Sequence, residues 1–152
     1  DCIKPDMIDM AVQAGCDELL FGVESGSPRI QKMLNKGVDK EKAIQVAKML
    51  RERGVFITNA YIFGHPGETL EELKETVKWI KEIPADQNLV QLCRPLPGTP
   101  YFNKYIEMEK VKMPERTEEW ATFGVAGYDT NISNISTRTL NYLFWKNNFF
   151  YG

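Results

Sequence analysis

The sequence is poor in the side chains that build most metal and nucleophilic centres. It holds three cysteines among 152 residues, Cys2, Cys16 and Cys93, and a single histidine, His65. Cysteines so few and so scattered exclude a disulfide scaffold and a CxxC-type metal or redox pair, which leaves a reducing, cytoplasmic setting as the default. One histidine excludes a multi-histidine metal site. Set alone in a turn, His65 reads more readily as a structural or solvent-facing residue than as a general base. No apolar run reaches the ~18 residues of a membrane-spanning helix, and the first residues lack the basic-then-apolar pattern of a signal peptide. Charge of one sign is lacking too. Lys plus Arg number 19 against 21 Asp plus Glu, a net charge of -2, so neither nucleic acid nor a membrane surface is an expected partner. The chain does not begin with Met, and we read it as a piece of a longer protein.

What is present is an ordered domain's composition, 43% hydrophobic and 26% charged, arranged as alternating helix-period and strand-like segments. Pro5 suits a first helical turn and Gly15 a C-terminal cap, with Ile8, Ala11 and Val12 between them. The run Glu18 to Val23 reads as a strand buried on both faces. Asp39 opens a second helix with Ala43, Val46, Ala47 and Leu50 at helical spacing, and Gly54 closes it. A second strand runs from Val55 to Phe63. Thr69 and Glu72 form a capping box for a helix bearing Leu70, Leu73, Val77 and Ile80, and Leu89 to Cys93 reads as a third strand. These are consecutive βα units, and the fold class is α/β: a partial TIM-like barrel fragment over 1–105. Over 106–152 the pattern gives way to an irregular, helical C-terminal extension. Its final aromatic-rich helix, with Tyr142, Phe144, Trp145, Phe149, Phe150 and Tyr151, has to bury against something.

In parallel βα architectures ligands gather at the C-terminal ends of strands. The first strand ends in Gly22-Val23-Glu24-Ser25-Gly26-Ser27, where a carboxylate and hydroxyls emerge beside glycines. The alternative is a plain βα turn with Ser27 as N-cap before Pro28. The second ends in Ile62-Phe63-Gly64-His65-Pro66-Gly67-Glu68, whose free N–H groups could face a polar ligand and whose Ile62 could face a flat one; it also reads as a Pro-Gly turn into the capping box. The third ends in Leu92-Cys93-Arg94. Arg94 could pair with a carboxylate or lock a loop, and Cys93 reads as a small buried hydrophobe. The basic run from Arg29 through Lys36 to Arg53 reads as a solvated helix face.

Taken together, GVESGS, Lys36-Gly37, Ala14-Gly15-Cys16, YIFGHPGET and the Arg94-Pro95-x-Pro97-Gly98-Thr99-Pro100 loop resemble the radical S-adenosylmethionine superfamily. The branch they resemble often carries a cobalamin-binding domain and includes the anaerobic magnesium-protoporphyrin IX monomethyl ester oxidative cyclases and related methylases. The resemblance implies S-adenosylmethionine as cofactor, a [4Fe–4S] cluster and a 5′-deoxyadenosyl radical that abstracts hydrogen from a small-molecule substrate, and it leaves cobalamin open in another domain. It implies that Glu24 and Ser25 meet the ribose or methionyl end. The family's GxIxGxxGE pattern is matched at Ile62, Gly64, Gly67 and Glu68, with Ala60 in place of the first glycine. Ile62 then packs on adenine, Glu68 steadies the turn, and backbone around Leu92 and Cys93 meets the adenine edge.

The family's Cys-x3-Cys-x2-Cys loop has no counterpart here. No residue is therefore expected to hold metal or to act directly in catalysis. The chain alone is expected to be inactive, with its partner the missing N-terminal half of the barrel, and to self-associate through its open sheet edge. Two other readings remain: a non-catalytic βα scaffold that binds a partner, and a βα enzyme of unrelated chemistry.

Overall fold

The computed structural model describes residues 3–94, 96–107, 114–122 and 131–150. Helix α1 (Pro5–Gln13) starts on its proline and is followed by Gly15 at φ 93, a left-handed position where glycine avoids a Cβ clash. Strand β1 (Glu18–Glu24) follows, then the short helix α2 (Pro28–Met33) and helix α3 (Lys40–Arg51), whose N-cap Asp39 accepts from the Lys42 N–H at 2.9 Å. Strand β2 (Phe56–Phe63) leads to helix α4 (Leu70–Glu82), and strand β3 (Gln87–Leu92) completes the sheet. Thr69 and Glu72 close the reciprocal capping box expected of them.

The sheet order is β1-β2-β3, all parallel. This is an α/β arrangement consistent with part of a βα barrel, as the alternating pattern implied. Period-2 alternation divides the strands into two faces. Val23, Tyr61, Phe63, Val90 and Leu92 join Leu73 and Ile80 of α4 in one core cluster, while Ile57 meets Ala47 and Leu50 of α3 in another. On the opposite face Leu20 is 59% and Phe56 44% exposed. One sheet face is thus helix-covered, and the other, where Leu20 and Phe56 stand among polar residues such as Gln87 and Gln91, is open among the described residues.

Beyond the sheet lie helices α5 (Pro100–Glu107), α6 (Thr117–Thr122) and α7 (Thr137–Phe150). The loop expected to run on through Pro100 ends there, because Thr99 caps α5: its hydroxyl accepts from the Phe102 N–H at 3.2 Å. Helix α7 buries Leu140 against the first core cluster, with Leu143 and Phe144 packed beside it, but Tyr142 and Trp145 stay 61% and 48% exposed. One stripe of this aromatic helix buries against the core, as its composition required. Within the irregular C-terminal extension, 108–113, 123–130 and Tyr151 lie outside the described residues. Asn148 of α7 reaches the free edge of β3, donating from Nδ2 to the Val90 carbonyl at 3.2 Å and accepting from the Val90 N–H at 3.3 Å. No helix among the described residues is long and apolar enough to cross a membrane.

Candidate functional site

The β1 tip is the most strained point of the sheet. Its register with β2 shifts between Gly22 and Glu24, a bulge, and Glu24 takes φ 67. A non-glycine residue in the left-handed region is held there by its surroundings, and such residues cluster at functional sites. The Glu24 side chain folds back over Gly22, where a Cβ would lie 2.7 Å from Glu24 Oε1. Lys36 Nζ sits 3.1 Å from the same oxygen and 3.5 Å from the Gly22 carbonyl. Lys36 is delivered by the turn after α2, in which Asn35 takes φ 52.

Ser25, expected beside Glu24, turns the other way. It is fully buried, its hydroxyl lies 3.0 Å from Thr76 Oγ1 of α4, and the Gly26 N–H donates to that same oxygen at 3.0 Å. Gln31 Nε2 donates to the Ser25 carbonyl and, at 2.9 Å, to that of Val23. Ser27 N-caps α2, as the plain-turn alternative held. The side chain of Ser25 therefore fastens the tip to α4, while Glu24 alone faces outward.

At the β2 tip, Ile62 pairs in register with Gln91 and shares the open face, while its neighbours Tyr61 and Phe63 are fully buried on the helix side. Gly64 takes φ 83 and Gly67 φ 63, and a Cβ on Gly64 would also approach Leu140 Cδ2 to 3.0 Å. The Glu68 carboxylate is buried beneath the turn. Its Oε2 accepts from the Gly64 N–H at 2.6 Å and the His65 N–H at 3.1 Å, and its Oε1 has no partner. Burial pushes its pKa up to about 7, against the pull of the two N–H groups. His65 is buried, not solvent-facing; neither ring nitrogen makes a hydrogen bond of good geometry, and desolvation pushes its pKa down to about 4. It is neutral at pH 7.

At the β3 tip, the Leu92 side chain belongs to the helix-side core, and Cys93 follows with its N–H donating to the Phe63 carbonyl at 2.7 Å. Cys93 packs against Ile132, and burial pushes its thiol up to about 12, which makes it the inert hydrophobe expected. Cys16 donates to the Glu18 carbonyl at 3.4 Å. Among the described residues no group of three His, Cys, Asp or Glu side chains could hold a metal ion.

The three tips are neighbours in one sheet. Glu24 pairs in register with Tyr61, the neighbour of Ile62, and the Gly64–Glu68 turn follows β2 directly, whereas the side chains of Ser25 and Leu92 point into the core and leave only their backbone at the tips. A cavity of about 870 Å³, lined by Phe21, Val46, Met49, Asn59 and Ile83 among others, lies between α3 and the helix-covered face and reaches the β1 tip at Gly22 and Val23. Strand-end chemistry outweighs it, because it offers mostly aliphatic and aromatic walls. Lys36, read with the basic run as part of a solvated face, is 42% exposed and also reaches the Glu24 carboxylate at 3.1 Å. The available signal for this contact was Asn35, a residue tolerant of left-handed backbone, directly before the lysine.

The signature of the Radical SAM superfamily matches residues 1–80, more than half of the chain. An uncharacterized methyltransferase of Pyrococcus horikoshii is 34% identical over 87 residues, 57% of this chain and 19% of the relative. A bacteriochlorophyllide d C-12(1)-methyltransferase of Chlorobaculum tepidum is 28% identical over 126 residues, 82% of this chain and 26% of the relative. A tRNA-2-methylthio-N(6)-dimethylallyladenosine synthase of Sulfurihydrogenibium sp. is 34% identical over 87 residues, 56% of this chain and 20% of the relative. The chain thus spans between a fifth and a quarter of the length of these relatives. The match across both βα units, joined to the glycine and carboxylate geometry at their tips, means that this chain belongs to the radical S-adenosylmethionine superfamily.

Proposed function

We propose that the strand tips hold S-adenosylmethionine, its adenosyl part over Ile62 and the Gly64–Glu68 turn and its amino-acid part reaching Glu24 and Lys36. The observation that carries this reading is the Glu24–Lys36 pair, a carboxylate and an ammonium 3.1 Å apart over a glycine. A zwitterionic amino-acid end offers the complementary ammonium and carboxylate and can exchange this internal ion pair for two charge-assisted contacts. Ser25 serves by anchoring the tip to Thr76, Glu68 by holding the Gly64 and His65 amides, and Leu92 and Cys93 by their backbone. S-adenosylmethionine supplies the carbon–sulfur bond whose cleavage starts this superfamily's chemistry.

The [4Fe–4S] cluster does not fit the residues present. Cys93 is a buried thiol, Cys16 is turned to a backbone carbonyl, and no metal-holding cluster occurs among the described residues. Methyl or methylthio transfer to a small molecule or nucleoside is the reaction class we favour for the whole enzyme, because the relatives above carry those activities in their names. Oxidative cyclisation and the use of cobalamin draw no such support.

Titration calorimetry with S-adenosylmethionine tests the reading. Binding with a Kd below ~1 mM is expected, weakened at least about tenfold in Gly22→Val, whose side chain displaces the Glu24 carboxylate. A well-folded chain that gives no heat at millimolar ligand overturns it.

A further inference from the structure

We infer that Arg29 is a positioning residue for the nucleoside turn: its guanidinium ties the helix that begins at the β1 tip to Gly67 and Glu72 at the β2 tip, clamping from outside the turn that Glu68 braces from inside. Its functional meaning rests on the nucleoside reading above; its structural part rests on the contacts alone.

The contacts form a fork. Arg29 Nε donates to Glu72 Oε1 at 2.5 Å, and Nη2 donates both to Glu72 Oε2 at 2.8 Å and to the Gly67 carbonyl at 3.1 Å. Glu72 is also the capping-box residue of α4, accepting from the Thr69 N–H at 2.9 Å, and it accepts from the hydroxyl of Ser27, the N-cap of α2, at 3.3 Å. One carboxylate therefore serves the starts of both helices, and Arg29 joins it to the turn. The Gly67 carbonyl takes a second bond from Asn134 Nδ2 at 3.3 Å, and the Gly67 N–H donates to the Ile132 carbonyl at 3.0 Å. The turn is thus gripped from α2 on one side and from the segment before α7 on the other. Only arginine can reach three acceptors in this planar arrangement; lysine is a point charge.

The clamp also bears on the brace. The titratable groups facing Glu68 are Arg29 from α2, Glu72 from α4, Cys93 after β3, and His65 within the turn. His65 and Cys93 are neutral near pH 7, and Glu72 is held down to about 2 by its hydrogen bond from Arg29. The charged neighbours of Glu68 are accordingly one cation and one anion. Without Arg29 only the anion remains, and protonation of Glu68 becomes easier.

Two variants of the full chain test this. The ¹⁵N shift of the Gly64 amide, which donates to Glu68, reports the protonation of Glu68 without any ligand. In Arg29→Gln its midpoint is expected to rise by a few tenths of a pH unit, because burial and the two backbone N–H groups act on Glu68 more strongly than the half-exposed guanidinium does; a midpoint that is unmoved or falls overturns the inference. Arg29→Lys keeps the charge and loses the fork, so its Gly64 midpoint stays near that of the wild type while its affinity for S-adenosylmethionine falls about tenfold. Wild-type affinity in Arg29→Lys overturns the clamp. If the wild-type chain binds no S-adenosylmethionine, the nucleoside reading falls, and the Gly64 midpoint in Arg29→Gln still decides whether Arg29 acts on the brace.

Discussion

Glu68 and His65 sit in one turn and titrate against each other. Glu68 has a folded pKa of about 7, above its ordinary 4.5, so its contribution to stability is full below pH 4.5 and lost as pH rises through 7. His65 has a folded pKa of about 4, below its ordinary 6.5, so its contribution is present above pH 6.5 and lost as pH falls through 4. Between pH 4.5 and 6.5 the two slopes oppose and flatten each other. Urea midpoints measured across this window are expected to show it: Glu68→Gln falls more steeply than wild type on acidification, by at most ~1.4 kcal/mol per pH unit, and His65→Asn falls less steeply. Parallel profiles for all three proteins contradict the assignment. At this scale local grammar was readable in the sequence. The Thr69–Glu72 capping box, the Ser27-Pro28 helix start and the Gly15 and Gly54 turns each depend on neighbours a few positions away. The Arg29–Glu72 fork was hidden because it joins residues of two βα units that only the parallel sheet brings together, and the Glu24–Lys36 pair because it depends on how the turn after α2 returns Lys36 to the β1 tip.

Among the elements, α7 has the role least visible in the sequence. Its aromatic content points to general burial, yet its decisive side chain is an amide. Asn148 occupies the Val90 N–H and carbonyl, groups that a neighbouring strand would otherwise take. Asn148→Ala is expected to destabilise the chain by about 1–2 kcal/mol, for two part-buried backbone groups left to water, as read by chemical denaturation. A loss within error means that the amide contributes nothing. The strands were legible as apolar runs, with β3 displaced by two residues at its start because Gln87 and Asn88 lack the apolar signal but still pair with Thr58 and Asn59. Helix α2 was legible only as an alternative, since its six residues are too few to show a period.

The whole molecule is a sheet with one dressed face. Leu20 and Phe56 lie exposed opposite the helices, and among the described residues β1 has no strand partner on its outer side. The sequence implied such an open margin as soon as three βα units were counted; which side chains would stand on it needed the register. Self-association through this open face and edge is expected at micromolar concentration, with the double variant Leu20→Lys, Phe56→Lys on the face running as a monomer in size-exclusion chromatography with light scattering. A wild-type chain that is monomeric under those conditions rules it out. The two margins of the sheet are not equivalent, however. Asn148 already takes the Val90 groups in the middle of the β3 edge, so copies that meet β1 to β1 are expected to stop at a pair instead of running on into a fibre.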